Sequence, residues 1–272
     1  MARPDALSQT ELRAKDFVPR GKKSSSPLNT TLFLGLRVLD CLIQYSILSQ
    51  LYGTGVIKLF GGTIRPSPPT LHAGIAPIDA LNLSAYRAVL LSMTCITTIK
   101  HIWFVLCVAE EAWTVSGAVI VAAFNTFWNT LNNLLFLCAT TSAASSPRGE
   151  TLANLYLLVG VALFLLGIGA EWQCEIQRRQ FKADVRNKGK PFTGGLFSLV
   201  RHPNYSGYTL WRASGAMATS GMLSATLTGV FFLYDFSSRA IPALDEYCSK
   251  RYDNMWTNYK QKTPYTLVPY VL

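Results

Sequence analysis

The sequence Arg201-His202-Pro203-Asn204-Tyr205 follows a basic segment and precedes an apolar one. A guanidinium group can bind a phosphate or carboxylate in a bidentate manner, and a carboxamide or phenol can hydrogen-bond a ribose or an amide. Pro203 fixes its own φ angle and pushes His202 towards extended geometry, which is typical of a rigid turn. The sequence therefore predicts a turn that presents polar side chains where the apolar segment begins.

Two further blocks of the last third of the chain combine cations with aromatic rings. The first contains Arg178 and Lys182, and the second runs from Cys248 through Tyr252 to Tyr259. Cations suit phosphate, and aromatic rings offer faces on which a base or a nicotinamide can stack. The alternative to a binding site is that these basic and aromatic side chains only lie at the membrane interface and bind no ligand. The three blocks together favour a binding site for an anionic cofactor.

The composition excludes an ordinary soluble enzyme. The chain has 272 residues, of which 50% are hydrophobic and only 15% are charged, whereas soluble proteins have about 25% charged residues. The net charge of +10 does not indicate nucleic-acid binding, because the basic residues lie at the N-terminus and at 178–201, next to apolar segments. The six cysteines form no CxxC pair, so neither a disulfide framework nor a metal site is expected.

Apolar runs long enough to cross a bilayer predict an all-α, polytopic membrane protein. About four transmembrane helices are expected, at 31–52, 85–108, 113–139 and 152–169. The apolar segment 207–236 has basic flanks on both sides and glycines within it. It is therefore expected to form a helical hairpin that turns near Ser220-Gly221, with both termini cytosolic by the positive-inside rule.

The expected organisation has three parts: a disordered cytosolic tail at 1–27, transmembrane helices at 28–170, and a cofactor-binding region at 171–272 that includes the hairpin. Within the first span, Arg37 and Asp40 form an i,i+3 pair, and this face is expected to point into the protein because charge is costly in lipid.

Four asparagines of the third span lie on one helical face: Asn125, Asn129, Asn132 and Asn133. Such a stripe must be buried against other helices or against a cavity. It either joins helices by hydrogen bonds or lines a substrate or cofactor cavity, and both interpretations remain open.

The Arg201–Tyr205 turn with Gly207 resembles a signature shared by membrane sterol reductases, steroid 5-alpha-reductase-like proteins and isoprenylcysteine carboxyl methyltransferases. Over roughly residues 100–272 the chain is most similar to the DUF1295 group, described as steroid 5-alpha-reductase C-terminal-like. The resemblance is most specific from Glu171 onward.

In the sterol reductases a basic pair four residues apart holds NADPH, and Arg178 and Lys182 match it. The resemblance further implies cofactor binding at the residues that precede, form or follow the turn. The complete set is Arg178, Lys182, Phe197, Arg201, His202, Asn204, Tyr205, Asp245, Cys248, Lys250, Arg251, Tyr252 and Tyr259. Asp245 lies three residues before Cys248, whereas the family spacing is four.

The resemblance implies first an NADPH-dependent reductase of a carbon–carbon double bond in a sterol, a steroid or another lipophilic substrate. Tyr208, Tyr205 and His202 are the candidate acids for such a reaction.

The alternative is a methyltransferase that uses S-adenosylmethionine on a lipid or prenyl-cysteine carboxylate. Tyr208 favours it, since the reductases usually carry an acidic residue there and the methyltransferases an aromatic one. The basic pair favours NADPH, because S-adenosylmethionine has no phosphate.

A second alternative is a non-catalytic membrane protein that binds lipid. In each case the expected partners are a lipophilic small molecule and membrane lipids rather than nucleic acid. The expected location is the membrane of the endoplasmic reticulum.

Overall fold

The computed structural model describes residues 26–66, 70, 74–109, 113–145 and 149–271, and nearly all of the predicted N-terminal tail lies outside them. The described residues form helices and connecting turns, with one isolated β-bridge between Ile64 and Cys138. The helices are α1 Pro27–Leu48, α2 Thr54–Leu59, α3 Ala76–Asp79, α4 Ala85–Cys107, α5 Val115–Leu137, α6 Leu155–Ala183, α7 Pro203–Asp235, α8 Ile241–Tyr252 and α9 Asn254–Lys262. The predicted all-α class is confirmed.

Four helical segments are long and apolar enough to cross a membrane: α1, α4, α6 and the continuous run Pro203–Tyr252. The third predicted span is present as α5, which has 23 residues and packs mainly against α1. It carries the four asparagines and is not among these four segments. The protein is an integral membrane protein. Its first three predicted spans begin and end within four residues of the observed helices, whereas the fourth, predicted to end at 169, continues in α6 to Ala183.

The predicted hairpin is confirmed. α7 is interrupted at Gly221, whose φ of 80° and ψ of −167° are not helical. Its two legs lie side by side, because the ring of Tyr205 stacks on that of Phe236 at a centroid distance of 4.5 Å. A Cβ atom on Gly229 would lie 3.6 Å from the Cβ of Ala213. Gly221 suits this turn because a residue without a Cβ adopts positive φ at little cost.

The first leg of α7 runs antiparallel to α6 in close contact. A Cβ atom on Gly207 would lie only 2.7 Å from the carbonyl oxygen of Gly167 and 2.8 Å from the backbone nitrogen of Glu171. Small residues allow such close approach between membrane helices. The packing sets Glu171 level with Gly207, so the basic end of α6 extends past the turn at 201–205. The predicted boundary at 170/171 therefore falls inside a single helix.

Candidate functional site

The 201–205 turn is held by the C-terminal segment. The backbone nitrogens of Arg201 and His202 donate to the carbonyl oxygens of Tyr265 and Thr266, each at 2.9 Å. The Arg201 guanidinium donates to the carbonyl oxygen of Pro264 at 2.6 Å. Arg201 thus stabilises the turn through backbone carbonyls, and its predicted contact with a cofactor stays a prediction.

Within the turn, the ring of Tyr205 lies between those of His202 and Phe236, at centroid distances of 5.6 and 4.5 Å. His202 is buried, whereas Asn204 and Tyr205 are half-buried. The hairpin's second leg, which carries Phe236, therefore orients the aromatic side chain of the turn.

Several predicted cofactor-binding residues come together in one buried cluster. Phe197, Cys248 and Tyr259 pack with Cys174 and Trp256, and Tyr252 lies at the edge of this cluster. The Tyr259 hydroxyl donates to the carbonyl oxygen of Phe197 at 2.6 Å. Burial raises the pKa of Tyr259, so its phenol stays protonated and remains a donor. The cluster joins α9 to the segment that precedes the turn.

The acidic and basic residues of α8 are engaged locally. Asp245 accepts from the indole nitrogen of Trp256 at 2.7 Å and from the ammonium group of Lys260 at 3.1 Å. Lys250 pairs with Glu246 one helical turn away. Arg251 lies over the ring of Tyr252, with 5.5 Å between its guanidinium carbon and the ring centroid.

The predicted basic pair lies on the last turns of α6. Arg178 is half-buried and Lys182 is exposed. Arg178 is close enough to Glu175 and Tyr252 to act on both electrostatically. The structure therefore brings Arg178 to the side of the Cys248–Tyr259 cluster, and it leaves Lys182 at the surface.

A buried ion cluster that sequence reasoning missed joins α4, α6 and α7. The ammonium nitrogen of Lys100 lies 2.5 Å from Glu171 Oε1 and 3.1 Å from Glu175 Oε1. The indole nitrogen of Trp211 donates to Glu171 Oε2 at 2.7 Å. Glu175 Oε2 is buried and has no hydrogen-bond partner among the described residues. A lysine inside the apolar segment 85–108 was the available signal, because such residues are usually functional.

The Arg37–Asp40 pair points inward as predicted. Both side chains are fully buried, and the guanidinium Nη1 of Arg37 lies 2.8 Å from Asp40 Oδ2. Asp40 also accepts from the amides of Gln44 at 2.8 Å and Asn129 at 2.7 Å. The ion pair thus connects α1 to the asparagine stripe of α5.

Arg212, on the first leg of the hairpin, is the second residue that the sequence interpretation missed. Its guanidinium donates to the Tyr208 hydroxyl at 3.1 Å, to Asn129 Oδ1 at 3.2 Å, and to Asn125 Oδ1. It also lies over the ring of Trp211, with 4.4 Å between the guanidinium carbon and the ring centroid. The signal was a lone arginine in the apolar segment 207–236.

A cavity of about 40 Å³ lies between α4, α5, α6 and α7 beside Arg212. Its polar lining comes from Thr94 and Thr97 of α4, from Asn129, Asn132 and Asn133 of α5, and from Arg212 and Thr219 of α7. The asparagine stripe therefore joins helices and also lines a cavity, and a substrate or cofactor in that cavity stays a prediction.

Known proteins similar to this chain are methyltransferases by name. The chain is 59% identical over 252 residues to the probable O-methyltransferase ustE of Ustilaginoidea virens, covering 92% of this chain and 89% of that protein. A shorter match, 31% identical over 83 residues, is to a protein-S-isoprenylcysteine O-methyltransferase of Schizosaccharomyces pombe and covers 30% of this chain and 35% of that one. A similar protein of Arabidopsis thaliana is 28% identical over 85 residues, 30% of this chain and 41% of that one.

These relatives overturn the reductase interpretation. None of these similarities supports NADPH. Tyr208, Tyr205 and His202 were predicted as acids for a reduction, and without a reduction that role no longer applies. The interpretation rested on Arg178 and Lys182 as a phosphate site. Two cations four residues apart at a membrane surface bind any anionic group, including a carboxylate, so the spacing does not identify a phosphate.

The family described as protein of unknown function DUF1295 matches residues 110–263. This match covers more than half of the chain and includes α5, α6, the 201–205 turn and the hairpin. The chain belongs to the DUF1295 family.

Proposed function

We propose that this protein is an integral membrane methyltransferase, which transfers a methyl group from S-adenosylmethionine to an oxygen atom of a lipophilic substrate. The observation that carries this proposal is the 59% identity, over 92% of the chain, to a probable O-methyltransferase. The shorter similarities to isoprenylcysteine O-methyltransferases support the same reaction type. The membrane-spanning architecture suits a substrate that is dissolved in the bilayer.

The residues around the turn fit S-adenosylmethionine chemically. This molecule has a sulfonium and an ammonium group, a carboxylate, a ribose and an adenine. The buried Glu175 Oε2, which has no partner among the described residues, suits a cationic group. Arg178 suits the carboxylate, and Asn204 and Tyr205 suit the ribose hydroxyls. Glu175 lies one helical turn beyond Glu171 on α6, which puts it near the turn.

When bound, S-adenosylmethionine would supply an activated methyl group to the acceptor oxygen and would leave as S-adenosylhomocysteine. The protein's contribution is orientation and the exclusion of water. Glu175 would hold the cationic part of the cofactor in place, and Lys100 would hold Glu175. The acceptor oxygen must then approach from the membrane side, where Tyr208 and Arg212 lie.

The proposal is tested with protein purified in detergent. S-adenosylmethionine carrying a radioactive methyl group would be incubated with the protein and a lipid extract of the source membranes. Label should enter the organic phase, with S-adenosylhomocysteine formed in equal amount. Label released by mild alkali would identify a methyl ester, and stable label would identify a methyl ether.

Glu175→Gln should weaken binding of S-adenosylmethionine by about ten-fold, the value of one charged hydrogen bond, as measured by calorimetry. Glu246→Gln is the matched control, because Glu246 is a glutamate at the surface that pairs only with Lys250 in the described contacts. Absence of binding of both S-adenosylmethionine and S-adenosylhomocysteine to the folded wild-type protein would refute the proposed function.

A further inference from the structure

Four arginine and lysine side chains are buried in the described part of the chain: Arg37, Arg87, Lys100 and Arg212. Three of them have a carboxylate partner. Arg37 pairs with Asp40 at 2.8 Å, Arg87 with Glu150 at 2.7 Å, and Lys100 with Glu171 at 2.5 Å. Arg212 has no carboxylate within 4.0 Å among the described residues, and its hydrogen bonds go to two amide oxygens and a phenol.

A buried cation without an anion is costly, because neutral acceptors replace only part of the hydration that the charge loses. Asn129 connects Arg212 to Asp40, but the charge of Asp40 is already matched by that of Arg37. Arg37 also lies near enough to repel the charge of Arg212. The surplus positive charge at Arg212 therefore calls for an anion that the protein itself does not supply.

The cavity beside Arg212 has room for an anionic group. The cavity of about 40 Å³ is lined by Arg212, Trp211 and the amides of the asparagine stripe. A cavity of this volume holds the end group of a molecule or one or two waters, but not a whole lipid. Asn132 also lines the cavity, and its amide nitrogen, a further hydrogen-bond donor, lies 3.8 Å from where a Cβ atom on Gly215 would be.

The charge distribution of the buried network matches the two reactants. Glu175 is a surplus carboxylate near the 201–205 turn, since it shares Lys100 with Glu171. Arg212 is a surplus cation further along the hairpin. Tyr208 lies between the two regions, one residue after Gly207 and within 3.1 Å of the Arg212 guanidinium. A cationic methyl donor near Glu175 and an anionic acceptor near Arg212 would each lie beside a side chain of opposite charge.

We propose that Arg212 is the specificity-determining residue that binds the ionised acceptor oxygen of the substrate, so that the substrate is a lipophilic acid, either a carboxylic acid or a phenol. This proposal rests on the proposed methyl transfer. Methylation removes the negative charge of the acceptor and with it the attraction to Arg212. The methylated product is therefore held more weakly than the substrate, which favours its release.

The test compares each acid with its own methylated form. Decanoate and methyl decanoate, and 4-octylphenol and its methyl ether, would be titrated into the detergent-purified protein, with binding followed by thermal stabilisation. The wild type should bind at least one of the two acids about ten-fold more tightly than the methylated partner. Arg212→Gln should reduce this preference to within about two-fold, and Arg212→Lys should retain part of it.

Arg239→Gln is the matched control, because Arg239 follows the same hairpin but pairs with Asp235 at 2.6 Å and is partly exposed. A wild type that prefers neither acid over its methylated form, or an Arg212→Gln variant that keeps the full preference, would overturn the assignment. Binding of S-adenosylmethionine is measured in the same preparations. If S-adenosylmethionine does not bind but the preference for the acid still depends on Arg212, the methyltransferase function is refuted and the acid subsite is retained.

Discussion

Lys100 shows how individual charges organise this membrane protein. Its ammonium group bridges Glu171 and Glu175 on the neighbouring helix α6, and the side chain is almost completely buried. Trp211 of α7 binds the remaining oxygen of Glu171 at 2.7 Å. Lys100 and Glu171 together thus connect α4, α6 and α7. Lys100 also fixes the position of Glu175, the residue to which we assign the cationic part of the methyl donor.

Replacing Lys100 should therefore be severe. Lys100→Met would leave two carboxylates buried beside each other without a cation, and such unpaired charge costs roughly 3–5 kcal/mol. The unfolding temperature in detergent should fall strongly, and the surface variant Lys58→Met should leave it unchanged. Adding Glu175→Gln to Lys100→Met should recover part of the loss. If it recovers nothing, the lysine contributes by packing and not by charge.

At the scale of elements, the contact between α6 and the first leg of α7 determines where the 201–205 turn lies. Three glycines, Gly160, Gly167 and Gly207, have neighbouring backbone or Cβ atoms within 3.0 Å of where their own Cβ would be. The helices therefore approach as closely as their backbones allow. This contact sets the basic end of α6 beside the turn and brings Trp211 to Glu171.

The substitution Gly207→Ala tests this contact. Its Cβ would meet backbone atoms of Gly167 and Glu171 at 2.7 and 2.8 Å, which cannot move aside as a flexible side chain can. We expect a loss of roughly 1–3 kcal/mol in stability from overpacking, together with weaker methyl transfer because the turn moves away from Glu175.

Gly169→Ala provides the control on the same helix, since nothing lies within 4 Å of its Cβ position. It should stabilise the protein by up to about 1 kcal/mol through helix propensity. Equal effects of the two substitutions on the unfolding temperature would argue against close packing at Gly207.

At the scale of the whole molecule, the hairpin brings its two ends together, since the ring of Tyr205 stacks on that of Phe236. The first leg, from Pro203 to the break at Gly221, is long enough to cross most of the bilayer before it reverses. The helical run then returns through a π-helical turn at Phe236–Ala240 into α8. The basic segment before the turn and the basic helix α9 consequently lie together, on the side that we propose to be cytosolic.

Cysteine labelling tests this arrangement. In a background without reactive cysteines, Lys188→Cys and Lys262→Cys should react with a membrane-impermeant reagent from the same side of sealed vesicles, because both positions are exposed. Met222→Cys, at the tip of the hairpin, should be protected from that side. Labelling of Lys188→Cys and Lys262→Cys from opposite sides would mean that the segment crosses the membrane once.

The sequence by itself determined the membrane class, the positions of the long helices and the hairpin. These properties depend on local chemistry: the length of an apolar run, the basic residues that flank it and a glycine that permits the reversal at Gly221. The inward face of Arg37 and Asp40 was predictable for the same reason, since helical spacing puts both on one side and lipid excludes them.

Only the tertiary structure decided which charged groups meet. Nothing local to Lys100 indicates that its partners are 71 and 75 residues away. Nothing local to Arg212 indicates that it faces asparagines of α5 and lacks a carboxylate among the described residues. The partners of a buried charge depend on which helix faces pack together, and this is a property of the assembled bundle. The same limit explains why Arg178 and Lys182 could not identify the cofactor, since two neighbouring cations specify an anion but not the molecule that carries it.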